Sequence, residues 1–510
     1  MRTASALLLL LILVLWSSCR SDFETVESMG NLEFSRDTVY LDTVFTGLSS
    51  STHTLKVYNR SNEDIHIPQI ALGRGESSAY RLNVDGLPGK SFSNVEIMAK
   101  DSIYIFIETT VDLQETDQKE FLYNDAIEFI SSGHRQEVPL VTLVKDAIFL
   151  FPDKDEEGGI ETIPLGVDEQ GEEIRAKGFL LGEQHLNFTN EKAYVIYGYA
   201  VVPSGKTLTI NAGARIYFHE NSGILVSDAA TLNVKGSLSE NRENPINEVI
   251  FQGDRLSEEF ENIPGQWGTI WLKRGSINNS FHHATIRNST VGILAEGDQQ
   301  RTAPLLQLKN TQIYNSAVNG LLGVGAGISA ENLVINSSGQ ASVHLIGGSY
   351  EFKHSSLLNY WNEGFRLFPA VLLENEIISE TNVRSINLEK ALFSNCIIFG
   401  NERQELLFNR NENAAFNFEF RNCLIKFEDP SGEFTEDPLY DFTSEAHYSA
   451  IILNENPFFW NVDNDDFRLQ EGSPAIDSGN LPTANEVPFD ILNVSRLPDP
   501  DLGAYEWVKK

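Results

Sequence analysis

The chain has 510 residues, 41% hydrophobic and 10% aromatic, which is long enough for two or three domains and too apolar for general disorder. Its 72 acidic and 38 basic residues give a formal net charge of −34, which repels phosphate backbones and anionic headgroups and excludes nucleic-acid binding as a reading. The surplus fits a monomer kept apart by like charge, and also a surface that attracts divalent cations.

The chain opens with Met1-Arg2, an apolar run from Leu7 to Leu15, then Trp16-Ser17-Ser18-Cys19. One basic residue, a short hydrophobic stretch and small residues predict a secretory signal over 1–18, well short of a spanning helix. The segment resembles a bacterial lipoprotein signal, and the resemblance implies that Cys19 is acylated as the new N-terminus. Trp16 departs from the usual Leu at the third position before the cysteine. Residues 19–31 are then expected to be a tether, which places the protein in the cell envelope as an outer-membrane lipoprotein held by its N-terminal lipid.

From 32 to 145 short alternating strands are predicted at Thr38 to Val44, His53 to Tyr58, His66 to Leu72, Ser93 to Met98, Ser102 to Thr109, Ala126 to Ile130 and Glu137 to Val144. Seven such strands between polar turns predict a β-sandwich. Leu55-Lys56-Val57-Tyr58-Asn59-Arg60-Ser61-Asn62 and Asp101-Ser102-Ile103-Tyr104-Ile105-Phe106-Ile107 resemble the immunoglobulin-like domains of the Hydin type. Residues 146–192, with the acidic runs Asp153 to Glu157 and Asp168 to Glu173, are read as linker and entry cap.

A recurring phrase marks the next part: a polar residue, two or three aliphatic residues, then Asn, as in Thr285-Ile286-Arg287-Asn288 and Gln312-Ile313-Tyr314-Asn315. Ile286, Ile313, Val334 and Leu357, taken as equivalent, lie 27, 21 and 23 residues apart in turn, and Cys396 and Cys423 are again 27 apart. That is the period of a solenoid whose units bury their apolar face only by stacking. High strand propensity makes the coils β, with Gly or Asn at the corners. The two cysteines fit as stacked core residues, and strand spacing of about 4.8 Å leaves a disulfide between them open.

Val201-Val202-Pro203-Ser204-Gly205 through Gly213-Ala214-Arg215-Ile216 to Gln266-Trp267-Gly268-Thr269-Ile270 resembles right-handed parallel β-helices of the pectate-lyase-like superfamily. Residues 193–455 are assigned to that helix. Asn456-Pro457-Phe458-Phe459-Trp460, Gly472-Ser473-Pro474-Ala475-Ile476-Asp477-Ser478-Gly479 and Leu502-Gly503-Ala504-Tyr505-Glu506-Trp507 resemble the choice-of-anchor segment of bacterial surface β-helix proteins. Residues 456–510 are expected to cap the last coil with their aromatic rings. The expected fold is thus all-β: immunoglobulin-like sandwich, right-handed parallel β-helix and C-terminal cap, as in surface lipoproteins of the Bacteroidetes type.

The β-helix resemblance raises a Ca²⁺-dependent polysaccharide lyase, for which Asp254, Lys273 and Arg274 are the candidate catalytic residues, or a glycoside hydrolase. Acidic residues between Phe281 and Asn359 are few, so no catalytic set is assigned. Asp463, Asp465 and Asp466 have oxygen ligands at a density that suits Ca²⁺, but without the Gly and distal Glu of an EF-hand they read better as a capped turn. His282 and His283, adjacent on an expected strand, would point to opposite faces. The favoured reading is a non-catalytic scaffold or binding module for glycan or envelope protein, needing no cofactor. Trp267, Trp271, Tyr350, Tyr360 and Trp361 are its candidate binding residues.

Overall fold

The computed structural model describes residues 24–509 except 112–119, 156, 168–170, 242–243, 299–302 and 379–382. The signal expected over 1–18 and the expected lipidation site Cys19 lie outside the described residues. Two compact units meet between Asp146 and Ala147.

The first unit is a β-sandwich of a seven-stranded and a five-stranded sheet. Alternation along the strands sends Leu55, Val57, Ile103, Ile105 and Ile107 of one sheet inward against Ile67, Ile70, Ile127 and Phe129 of the other. His53–Tyr58 and Ser102–Thr109 form as predicted, paired with each other. Thr38 to Val44 breaks into Val39–Tyr40 and Val44–Phe45, and Tyr80–Val84 and Leu87–Gly89 add a hairpin that the sequence reading missed. The expected tether is shorter than 19–31, because Val26–Glu27 already pairs in parallel with Ile65 and His66 at the sheet edge.

The second unit is a parallel β-helix with three long sheets. Sheet 1 has 11 strands, from Ala147–Leu150 to Ile452–Leu453; sheet 2 has 10, from Thr162–Val167 to Leu406–Asn409; sheet 3 has 10, from Asn187–Phe188 to Tyr448–Ser449. The expected linker over 146–192 is instead the first coil. Ala147–Leu150 pairs with Ala193–Ile196, Gly178 to Leu180 pair with Tyr199 to Val201, and Asn187–Phe188 pairs with Thr209 and Ile210. Of its acidic residues, Asp153, Asp155 and Glu157 are exposed beside turns and Glu173 opens the second strand of an antiparallel hairpin, charges that hid the strand pattern between them.

Inward columns from the three sheets form the core. In sheet 1 it runs Ile216, Phe251, Ile286, Ile313, Ile335, Leu357, Ile398 and Ile425, all fully buried. Ile335, not Val334, is the register partner of Ile313, so the true steps are 27, 22 and 22 residues. In sheet 3, Phe352, Phe393, Phe420 and Tyr448 stack ring on ring at 5.0, 4.7 and 5.7 Å. Cys396 and Cys423 occupy matching buried places as free thiols.

Asn recurs at both ends of the sheet 1 strands. Asn288 and Asn315 of the recurring phrase take φ 64 and 54° at the far end, and before the strands His283, Asn310, Asn332, His354, Asn395 and Asn422 all take φ between 45 and 56°, a left-handed conformation that Asn tolerates better than most residues. Their side chains link adjacent coils: Asn310 Nδ2 lies 2.9 Å from His283 Nε2, and Asn332 Nδ2 donates to Asn310 Oδ1 at 2.8 Å. His283 therefore turns a corner rather than continuing the strand Asn279–His282. Burial lowers the proton affinity of both histidines.

The C-terminal segment covers the helix along its flank, not over its last coil. Phe459, Phe467, Leu469, Ile491, Leu502 and Tyr505 pack on Tyr314, Val334, Leu358, Ile397, Phe399 and Leu424, the outward residues of sheet 1. The last coil is instead closed by Phe427, Phe434, Tyr440 and Phe442, whose rings pack at 4.7 to 5.3 Å from one another. The aromatic residues after Asn456 instead bury the apolar half of a sheet face, whose outward Val, Leu, Ile and Phe side chains would otherwise meet water.

Candidate ligand groove

The outer face of sheet 1 changes character along the helix. One outward column reads Ile250, Thr285, Gln312, Val334, Ser356, Ile397 and Leu424, and the neighbouring one includes Gln252, Arg287, Tyr314, Asn336, Leu358 and Phe399. Its later, apolar half is covered by the C-terminal segment. Its earlier, polar half stays open, and the hairpin Phe459–Asn461/Asp466–Leu469 forms one wall of the resulting groove.

Three overlapping stretches make the groove continuous. The first, about 740 Å³, runs from Leu238 and Glu240 past His283, Arg287 and Gln312 to Asp466 and Arg468. The second, about 390 Å³, shares Arg287, Gln312, Asp465 and Tyr505 with it and adds Glu261, Asn262 and Asn315. The third, about 320 Å³, shares Asn262, Asn315 and Asp465 with the second and ends at Tyr360, Asn362, Glu363 and Asn401. Carboxamides recur from one end to the other, each able to donate and accept.

The charged groups in the groove are largely engaged. Asp465, at φ 54°, accepts from Asn336 Nδ2 at 2.8 Å. Burial pushes its carboxyl above the ordinary range, against that hydrogen bond and the charge of Arg287. Asp466 accepts from Arg468 Nε at 2.7 Å, and Glu248 from Ser239 N at 2.8 Å. Arg287 lies 4.0 Å from Glu261, and its Nε is buried without a hydrogen-bond partner.

Of the five aromatic residues expected to bind, all but one fall elsewhere. Trp267 is a core residue, 1% exposed, stacked 4.2 Å from Phe218 and donating Nε1 to Arg287 O at 2.9 Å. Tyr350 is also 1% exposed in the core. Trp271 packs on the outer face of sheet 2 with Ile163, Leu165 and Leu225, beneath the first hairpin. Trp361 is partly buried, and its carbonyl accepts from Asn401 Nδ2 at 2.6 Å. Only Tyr360 lines the groove, and its ring stacks 6.3 Å from Phe467 of the C-terminal segment.

No lyase centre is assembled from Asp254, Lys273 and Arg274. Asp254 follows a sheet 1 strand and pairs with His219 Nδ1 at 2.8 Å, whereas Lys273 follows a sheet 2 strand and donates to Leu165 O at 2.9 Å. Arg274 is exposed at the corner beyond. Asp463, Asp465 and Asp466 share the groove wall, but Asp465 turns to Asn336 and Asp466 to Arg468, so they do not converge as Ca²⁺ ligands. Among the described residues no group of three or more His, Cys, Asp or Glu is placed to hold a metal ion.

Arg287, Gln312, Asn315 and Arg468, central to the groove, were missed as site residues. Their signal was present in the alternation: one outward column is polar at Thr285 and Gln312 and, Ser356 apart, apolar at Val334, Ile397 and Leu424. The location of the C-terminal segment, which makes the second wall, has no comparable signal.

No family model matches the chain, and no curated protein matches it in sequence. Among solved structures, a family 123 glycoside hydrolase from Clostridium perfringens is similar at 11% identity and TM-score 0.17, over 22% of this chain and 24% of that one. The periplasmic chaperone SfaE is similar at 13% identity and TM-score 0.15, over 22% of this chain and 56% of that one. The catalytic unit of a GH87 α-1,3-glucanase from Streptomyces thermodiastaticus strain HF3-3 is similar at 9% identity and TM-score 0.19, over 78% of this chain and 88% of that one. This chain therefore spans well under two thirds of the length of the first two.

Proposed function

We propose that the protein is a lipid-anchored cell-envelope module whose β-helix holds a glycan in the sheet 1 groove without cleaving it. The observation that carries this reading is the continuous carboxamide-rich channel beside the C-terminal segment. Hydroxyl-rich chains suit such donors and acceptors, since each lost pairing in a desolvated site costs about 1–3 kcal/mol. Engagement of Asp466 and Glu248 by neighbouring groups supports binding over hydrolysis. The purified mature protein should bind at least one immobilised polysaccharide, and the double variant Arg287→Ala/Gln312→Ala should lose that binding while melting at the same temperature. Absence of binding across neutral and acidic glycans would remove the reading.

A hydrolase is the second reading, favoured by Asp465, which lines the groove and whose carboxyl burial raises above its ordinary value, the direction a general acid needs. Release of reducing ends, abolished by Asp465→Asn, would install it. The envelope location and the immunoglobulin-like nature of the sandwich belong to the same proposal, supported by the Leu-rich start ending at Cys19 and by the two-sheet core. Cys19→Ala should move the protein from the membrane fraction to the soluble one. Unchanged fractionation, with no acyl mass on the wild type, would refute the anchor.

A further inference from the structure

Resting on the glycan-binding reading, we infer that Phe365 is a stacking platform extending the groove by one sugar unit, and that the ligand is a neutral saccharide chain rather than a polyuronate. The coil from Leu357 to Ile398 takes 41 residues where the two before it take 22 each, and part of the excess is the loop from Tyr360 to Ala370. On it Phe365 is 104% exposed and Leu367 90% exposed, the largest exposures among the big apolar side chains described. Between them the Arg366 side chain is 1% exposed.

Arg366 fixes the loop. Nη1 and Nη2 donate to the two Glu405 carboxylate oxygens at 2.9 and 2.7 Å, and Nη2 also reaches Asn359 O at 2.8 Å and Asn401 Oδ1 at 2.7 Å. Glu405, fully buried, accepts in addition from Ala370 N and Glu402 N at 2.7 and 2.8 Å. A loose loop would fold its rings onto the surface, since burying a phenylalanine stabilises by about 1.5–3 kcal/mol. The backbone here is held on the Arg366 side, so Phe365 and Leu367 stand in water at no cost in loop ordering when a partner arrives.

Position ties the platform to the groove. Asn362 and Glu363 line its far end, and Asn401 both accepts from Arg366 and donates to Trp361 O. Phe365 follows Glu363 by two residues, so the two Cα atoms are within about 7 Å. A saccharide leaving the groove past Glu363 therefore meets the loop that carries Phe365, and the face of an exposed ring takes the C–H face of a sugar without needing charge. Around the groove the carboxylates Glu240, Glu248, Glu261, Asp463, Asp465, Asp466 and Glu363 outnumber Arg287 and Arg468, on a chain of net charge −34, which disfavours a uronate.

The test is calorimetric titration with xylo-, manno- and gluco-oligosaccharides of two to eight units, and with polygalacturonate. In the series that binds, Phe365→Ala should weaken the longer members by about fivefold and leave the shortest unchanged, with Phe365→Trp restoring affinity. Gln312→Ala should weaken all lengths. Equal affinities for wild type and Phe365→Ala at every length, with Gln312→Ala still weakened, would overturn the platform while keeping the groove. Preferential binding of polygalacturonate would overturn the neutral-chain assignment. Absence of binding by the wild type to any probe would overturn both readings. Self-association of the wild type that Phe365→Ala abolishes, with saccharide binding untouched, would assign the loop to a protein socket instead.

Discussion

The two halves of the sheet 1 outer face share backbone, register and inward residues, yet one is a groove and the other a buried interface. The inward column stays aliphatic or aromatic throughout, while the outward one passes from Thr285 and Gln312 to Val334, Ile397 and Leu424. In a parallel ladder these outward side chains are free of any duty to the core, so their chemistry alone decides what they face. Water or ligand meets the first half; the chain's own C-terminus meets the second.

The largest effect should come from uncovering the apolar half. Deleting Asn456 to Lys510 bares Val334, Leu358, Ile397, Phe399 and Leu424, and the product should aggregate and bind hydrophobic dyes. A monomer of unchanged melting temperature on size-exclusion and calorimetry would show that this half does not need its cover. The point variant Phe467→Ala, at a site 1% exposed, should cost about 3–5 kcal/mol by denaturant titration.

The next effect separates the halves by pH. The segment buries Arg496 against Glu506, with Asp490, Asp501 and Asp477 close by and His354 on the facing coil. Burial raises Asp501 to about 6 and Glu506 to about 7, ahead of the opposing pull of Arg496. Both fold with pKa values above their unfolded ones, so their contribution is fully present below about pH 4 and is lost as pH rises through 6 to 7. Hydrogen exchange in the segment should therefore quicken from pH 5 to pH 8, and Glu506→Gln should flatten that rise. In the sandwich the sign reverses: burial opposes ionisation of Asp42, but hydrogen bonds from His53 and Ser51 keep its carboxyl low, so its contribution is lost as pH falls.

The smallest effect on stability belongs to the open half. Gln312→Leu should change unfolding free energy by no more than about 0.5 kcal/mol, because the partly exposed side chain gives up only a long hydrogen bond, 3.4 Å from Thr285 Oγ1. A loss above about 2 kcal/mol would mean that Gln312 is structural, and the groove would lose its central residue.

The β-helix was legible because its signals are local and repeated. A period near 22 to 27 residues and a corner Asn are properties of each coil, and even the slip from Ile335 to Val334 moved the column by a single residue. The first coil was not legible, since its strands are two to eight residues long and split by a charged hairpin. The groove was half legible. Polar outward residues can be read from alternation, but the wall supplied by Asp465 and Arg468 depends on contacts such as Asn336 to Asp465, 129 residues apart, which no local pattern encodes. The aromatic candidates failed for a related reason: Trp267 and Tyr350 carry large apolar surfaces, and the core claimed them first.

The Asn corners also bear on the order of assembly. Asn332 reaches Asn310 across 22 residues, so each coil can close on the one before it as the chain lengthens. Arg496 reaches the same Asn332 across 164 residues, and Ala504 N reaches Ser356 across 148. Loop closure of that span is slow and comes after the local ladder, so the C-terminal segment docks last. Pulse-labelled exchange during refolding should protect Ile313 and Ile335 before Leu502, and simultaneous protection would count against this order. Until docking, a stripe of Val, Leu, Ile and Phe lies bare along half of one sheet, which makes the newly made, not yet strapped chain the form most in need of a chaperone.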